Sequence, residues 1–230
     1  MRDIQNIVIL TGAGVSAESG IPTFRSKSGI TYWDVWESEF VQKSYRVEDV
    51  CAPEALAADA ELVHRFYDMR RAALASVEPN AAHHALARLD AEWPGELLIV
   101  TQNVDDLHER AGAKRLLHMH GELRSALCAA CGARAAWPGD LPPGSICTAC
   151  GAAALRPDIV FFGEMPYEMD RIEAALASCD LFVSIGTSGA VYPAAGFVQT
   201  ARHYGAHTLE LNLDPSAGSI FFAESRMGAA

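Results

Sequence analysis

Four of the six cysteines fall into two pairs, Cys128-x2-Cys131 and, fifteen residues later, Cys147-x2-Cys150. This spacing constrains the chain more than any other feature. Two thiolates from one tight turn can grip a single ion, and two such turns complete a tetrahedron. Gly132 and Gly151 directly follow the pairs, where backbone has to fold around a metal. Four thiolates leave no open position for water, so the Zn2+ expected here, one per chain, is structural. A redox pair or free structural thiols are the rival readings. Cys51 and Cys179 stand alone, and in an intracellular chain such pairs point to metal or redox chemistry rather than a disulfide framework.

Around this module runs a different pattern. Asn6 to Leu10, Leu97 to Val100, Leu181 to Ile185 and Thr208 to Leu213 are short apolar runs of the kind that form buried parallel strands. Helical patterns lie between them at Ala82 to Glu92, Tyr167 to Ser178 and Pro193 to Tyr204. Alternation of this kind predicts an α/β fold with a doubly wound parallel, Rossmann-like sheet. Two stretches depart from it. Residues 27–77 read as helix-rich, with Leu62, Val63, Phe66, Tyr67, Arg70 and Leu74 at helical spacing, and residues 124–156 are rich in Cys, Gly and Pro. The expectation is one catalytic domain over 1–230: a Rossmann-like lobe at about 1–26, 78–123 and 157–230, and a smaller lobe made of a helical module (27–77) and a zinc-ribbon module (124–156).

A length of 230 residues, half of them hydrophobic, suffices for one substantial core with a small satellite. No apolar run approaches the roughly 20 residues that span a bilayer, and no long apolar stretch follows Met1. A soluble, cytoplasmic protein without membrane contact is therefore expected. The net charge of −11 argues against a general affinity for nucleic acid. It suits basic partners such as lysine-rich protein segments, although such a balance is usually a solubility feature. Nothing fixes the oligomeric state; a monomer is the expectation.

The first apolar run ends in Gly12-Ala13-Gly14-Val15-Ser16-Ala17, which matches the G-x-G-x-x-A dinucleotide turn. Glycines there let backbone approach a pyrophosphate. A dehydrogenase would carry an acid about 20 residues on, after a second strand. Asp34 and Glu37 lie at that distance, but in a region that reads as loop and helix. Hydride transfer is disfavoured on this ground.

The turn continues as Glu18-Ser19-Gly20-Ile21-Pro22-Thr23-Phe24-Arg25, and in order there follow Thr101-Gln102-Asn103-Val104-Asp105-Asp106-Leu107-His108, His118-Met119-His120-Gly121-Glu122-Leu123, Pro157 to Glu164, Gly186-Thr187-Ser188 and Leu211-Asn212. Together these blocks resemble the sirtuin family nearly end to end. The resemblance implies an NAD-dependent protein lysine deacylase. In such enzymes the acyl-lysine oxygen attacks the nicotinamide ribose and nicotinamide departs. A ribose hydroxyl, relieved of its proton by a histidine, then opens the imidate, giving free lysine and O-acyl-ADP-ribose. By the motif match His120 is that base, with Asn103 and Asp105 holding the nicotinamide amide and its ribose. An imidazole suits the task because its ordinary pKa lies near 6.5. His118, His108, His83 and His84 compete on chemistry alone; the family match, not the spacing, selects His120.

NAD contacts are further implied for Gly12, Ala13, Gly14, Ser16, Ala17, Ile21, Thr23, Phe24, Arg25, Gln102, Val104, Gly186, Thr187, Ser188 and Asn212, and substrate contacts for Val160, Phe161, Phe162 and Gly163. Tyr67 and Arg70 share one helix face, and a phenol with a guanidinium suits a buried carboxylate. The Tyr-x-x-Arg pattern resembles the class III, bacterial-type sirtuins that remove succinyl, malonyl and glutaryl groups, with acetyl as a weak substrate. Plain lysine deacetylation and protein ADP-ribosylation are the alternatives, and a non-enzymatic NAD scaffold would lack His120. Cys51 stands where relatives carry a small alanine, with Val47 one turn earlier, so both bear on pocket volume. The residues 40–46 form a longer loop than the family's, and the chain stops at Gly228-Ala229-Ala230, sooner than the resemblance implies.

Overall fold

The computed structural model describes residues 4–22, 32–38, 41–46 and 49–229; for 32–38 and 41–46 it is the backbone that is described. Two compact units result, Met1–Pro22 with Val77–His120 and Pro166–Ala230, and Thr23–Ser76 with Gly121–Met165.

The first unit is built on a six-stranded sheet of β1 (Asn6–Thr11), β4 (Glu96–Thr101), β5 (Leu116–His118), β9 (Leu181–Ile185), β10 (His207–Asn212) and β11 (Glu224–Met227). Their order is β11-β10-β9-β1-β4-β5 and every pairing is parallel. From β1 the chain winds first toward β5 and later, from β9, toward β11. The order therefore reverses between β1 and β9, and open α/β sheets bind ligands outside the carboxyl ends of the strands at such a point. The doubly wound parallel sheet expected from the apolar runs is thus present.

Alternation along these strands separates two cores. Val8, Leu10, Leu98, Val100 and Phe182 pack on Ile172 and Leu176 of α6 (Met169–Ser178) and on Phe197, Val198 and Ala201 of α7 (Phe197–His203). Ile7, Ile9, Leu97, Ile99 and Val183 pack on the other side with Leu86 and Ala87 of α4 (Ala81–Glu92) and with Ala113. Burying each such side chain contributes about 1.5–3 kcal/mol, so the sheet is held from both faces. Asn80 starts α4 with a capping box, accepting from the N–H of Ala82 and His83.

The second unit differs from expectation in its bounds, since it takes in residues 121–123 and 157–165 that were expected in the Rossmann-like lobe, and in one stretch of its secondary structure. Within residues 27–77, which read as helix-rich, β2 (Tyr32–Ser38) and β3 (Val41–Arg46) pair as an antiparallel hairpin. Asp34 and Glu37 thus lie on a strand after all, but on a hairpin and not on a crossover strand of the parallel sheet. The run Tyr-Trp-Asp-Val-Trp carries aromatic and β-branched residues, a strand signal that the helix reading passed over. Helices α2 (Pro53–Ala58) and α3 (Ala60–Ala73) follow, the latter capped by Asp59 at the Leu62 N–H. A three-stranded antiparallel sheet of β6 (Gly121–Cys128), β7 (Arg134–Ala136) and β8 (Leu155–Ile159) carries the cysteines. One face of α3 clamps this module. His64 Nδ1 meets the Leu141 carbonyl, Asp68 accepts from the Leu141 N–H at 3.0 Å, and Arg71 donates to the Leu123 carbonyl and to Asp68.

Candidate functional site

In the first unit the turns after β1, β4, β9 and β10 are knitted at their carboxyl ends. Gly12 N–H donates to the Ile185 carbonyl at 3.0 Å, Gly14 N–H to Gly186 at 2.7 Å, Gln102 N–H to Thr11 at 2.9 Å and Gly186 N–H to Leu211 at 3.0 Å. This crossing is why glycine is required. A Cβ on Gly14 would lie 2.7 Å from the Gly186 carbonyl oxygen, and Gly186 holds φ at 62° with Val15 N only 2.4 Å from where its Cβ would be. Ala13 to Ala17 form the short α1 (Ala13–Ala17), and Ile21 returns to it through its N–H to the Ser16 carbonyl. Gln102 donates to Thr187 Oγ1 at 3.3 Å, and Asn212 donates to the Thr187 carbonyl at 2.7 Å. Thr187 is therefore the hub of this edge. Ser188 is exposed and Val104 buried.

A buried polar cluster lies beneath the turn. Asn103 Nδ2 donates to the Gly12 carbonyl at 3.1 Å and to Ser16 Oγ at 3.0 Å, and Ser16 donates to Asp105 Oδ2 at 3.0 Å. These bonds commit the Asn103 amide nitrogen and leave its Oδ1 as the atom to offer a ligand. Burial pushes the Asp105 carboxyl up, opposed by the Leu107 N–H, Ser16 and His118.

Two histidines absent from the expected site belong to this cluster. His83 reaches Ser16 Oγ at 3.4 Å, and His108 Nε2 bonds Thr11 Oγ1 at 3.0 Å, with their rings 4.9 Å apart. His108 Nδ1 is buried and has no hydrogen-bond partner among the described residues. Burial, chiefly, brings His83 down to about 4 and His108 to about 3. In an unfolded chain both rings titrate near 6.5, so below that pH the unfolded state binds protons that the folded state refuses. Stability should therefore fall as pH drops from 6.5 through about 4. Urea midpoints taken across this range measure it, with a shallower slope for His83→Gln; midpoints that stay level would contradict the assignment.

His118 and His120 are held differently. Nδ1 of His118 lies 2.9 Å from the Asn103 carbonyl and Nε2 lies 2.6 Å from Glu109 Oε1, so both nitrogens are engaged. Among the described residues His120 makes one ring hydrogen bond, Nδ1 to the Gln102 carbonyl at 3.2 Å, in which Nδ1 donates. That tautomer leaves a lone pair on Nε2. Burial lowers the His120 pKa below its usual 6.5, partly offset by that carbonyl, so the ring is neutral at pH 7.

In the second unit the sulfurs of Cys128, Cys131, Cys147 and Cys150 lie within 4.8 Å of one another, with Cys128 to Cys150 at 3.7 Å and Cys131 to Cys147 at 3.9 Å. Zinc–sulfur bonds of about 2.3 Å at tetrahedral angles need sulfurs roughly 3.8 Å apart. Both pairs sit on the same backbone knuckle: Gly132 N–H donates to the Cys128 carbonyl and Gly151 N–H to the Cys147 carbonyl, each glycine at positive φ. The four cysteines fit one zinc ion.

Elsewhere in this unit Tyr67 is wholly buried, stacked on Phe161 at 6.0 Å and edge-on to Phe66 at 4.9 Å. Among the described residues its hydroxyl makes no hydrogen bond of ordinary geometry. Burial and then the Cys51 thiol push the phenol well above 10, opposed by Arg70 and Arg156, so it stays a neutral donor. Burial likewise raises the Cys51 thiol, with Tyr67 and Arg70 acting the other way. The Cys51 carbonyl accepts from Phe162 N–H at 2.9 Å, tying the segment that holds Val160, Phe161, Phe162 and Gly163 to that of Cys51.

The Sir2 family pattern matches residues 12–193, which takes in the glycine turn, the Gln102 to Asp105 turn, both histidines and all four cysteines. The chain belongs to the Sir2 family. It is 51% identical over 229 residues to an NAD-dependent protein deacylase of Vibrio vulnificus (strain YJ016), covering 98% of this chain and 89% of that protein. Among solved structures it resembles a Sir2 homologue–NAD complex, with a TM-score of 0.85, 37% identity, and 99% of this chain and 85% of that one covered. It also resembles a Sir2 bound to acetylated peptide, with a TM-score of 0.79, 25% identity, and coverage of 99% and 89%.

Within this Sir2-family protein the structure brings together Gly12, Gly14, Ser16, Gln102, Asn103, Asp105, Gly186, Thr187 and Asn212 by direct hydrogen bonds in one unit. Tyr67, Phe161 and Cys51 gather in the other, with Arg70 acting on both the phenol and the thiol. Thr23, Phe24, Arg25 and Val47 lie outside the described residues. Among the described residues no helix is long and apolar enough to cross a membrane.

Proposed function

We propose that this Sir2-family protein removes acyl groups from protein lysine side chains at the expense of NAD, and that it favours acyl chains ending in a carboxylate. Kinship to NAD-dependent protein deacylases at about half identity over nearly the whole chain carries the first part. NAD would supply the electrophilic ribose carbon and receive the acyl group. His120 would take the ribose proton through Nε2, which its bond to Gln102 leaves open. Asn103 would accept from the carboxamide through Oδ1, its amide nitrogen being held by Gly12 and Ser16. The four cysteines would hold zinc as a staple with no role in the chemistry.

The acyl preference rests on one observation: a buried phenol whose only polar neighbour among the described residues is the weak Cys51 thiol, on the helix that also carries Arg70, against Phe161. An unmade bond on a buried donor costs about 1–3 kcal/mol, and a carboxylate reaching Tyr67 and Arg70 would recover it. A neutral acetyl group would not. Competition among acetyl, malonyl, succinyl and glutaryl peptides tests the reading. Acidic acyl groups should be preferred by about tenfold or more, and Arg70→Met should reverse the order. Equal rates on all four, unmoved by the substitution, would leave a plain deacetylase, the reading favoured by the likeness to a Sir2 bound to acetylated peptide.

A further inference from the structure

The contacts of His118 define its charge. Neither a backbone carbonyl nor an ionised carboxylate has a proton to give, so a ring bonded to the Asn103 oxygen and to Glu109 carries a proton on each nitrogen. The ring is buried, its side chain 7% exposed, whereas Glu109 is 41% exposed. His118 also acts on Asp105 and His108 among the described residues of this unit. Burial alone would raise the Glu109 carboxyl, but the bond and charge of His118 hold it below its usual range.

The contacts also close a ring along the chain. Asp105 Oδ1 accepts from the Leu107 N–H and so begins α5 (Leu107–Ala111). Glu109 on that helix grips His118 at the end of β5, and His118 grips Asn103, two residues before Asp105. The next carbonyl back, Gln102, is taken by His120.

We propose that the His118–Glu109 ion pair is a positioning pair: the imidazolium, doubly bonded, holds the 102–105 turn in the shape that presents Asn103 and Asp105 to the nicotinamide end of NAD. The inference rests on the NAD-dependent reading above. It separates two histidines that share one motif, a charged one that shapes the turn and a neutral one that moves a proton.

Glu109→Gln and Glu109→Asp test it. Nitrogen-15 spectra of ring-labelled histidine at pH 7.5 should find His118 protonated on both nitrogens in the wild type and in Glu109→Asp, and on one in Glu109→Gln. Calorimetry should find NAD binding weakened about tenfold by Glu109→Gln and by less than about threefold by Glu109→Asp, the scale of a hydrogen bond to a charged partner. A wild-type ring with one proton, or a Glu109→Gln protein that binds NAD as the wild type does, would overturn the proposal. A wild type that binds NAD with the stated ratio yet leaves acyl-lysine intact would sink the deacylase reading and spare this one. A wild type that binds no NAD would sink both.

Discussion

Replacing His120 by asparagine should lower kcat/KM for an acylated peptide by about a thousandfold, the scale of general-base catalysis, and leave the NAD dissociation constant within a few-fold. Asparagine is the informative replacement. Its Nδ2 can still donate to the Gln102 carbonyl where His120 Nδ1 does, so the turn keeps its bond and loses only the base. The pH profile adds an independent reading. Burial lowers the His120 pKa, so the inactive imidazolium forms only below 6.5. The wild-type rate should be level through neutrality and fall as pH drops beneath 6.5, in proportion to the protonated fraction. An acid limb centred at 7 or above, or an asparagine variant that turns over, would remove His120 from this role.

Stripping the metal should do comparable damage by a different route. Structural zinc contributes about 10–16 kcal/mol of apparent binding energy in small cysteine sites, against the 5–15 kcal/mol that holds a typical domain together. The zinc module has only a small core of its own, Ala126, Cys128, Leu141, Cys147 and Leu155, two of which are the cysteines themselves. Its loss should extend to α3, because His64 and Asp68 hold that helix to Leu141 and Arg71 holds it to Leu123. Tyr67 and Arg70 ride on the same helix. A strong chelator, or Cys147→Ser, should therefore release one zinc per chain, melt the second unit and abolish the choice among acyl groups. Metal analysis, near-ultraviolet circular dichroism and the four-peptide competition give the three readouts. Protein that contains no zinc as purified and melts unchanged with chelator would refute the staple.

Several parts of this molecule are legible before any folding is considered, and for physical reasons. Buried parallel strands need continuous apolar runs, so β1, β4, β9 and β10 announce themselves. Thiolates on one turn must be two residues apart to share an ion, so the metal set is readable by counting. The hairpin at 32–46 escapes because its aromatic and polar mixture satisfies helical spacing as readily as strand alternation. Strand β11, Glu-Ser-Arg-Met, escapes because an edge strand carries little apolar burden; three of its four residues are exposed.

The amino-acid order alone determined the family, the parallel sheet, the four-cysteine knuckles and the glycine turn, because each is written in short local blocks whose order along the chain can be read directly. Tertiary structure alone decided how the two histidines of one motif are held. His118 meets partners 15 and 9 residues away and His83 meets Ser16 across 67, and no local pattern encodes a hydrogen bond over such separations. It also decided why Gly14 must be glycine: the Gly186 carbonyl, from a turn far along the chain, occupies the space that a side chain would need.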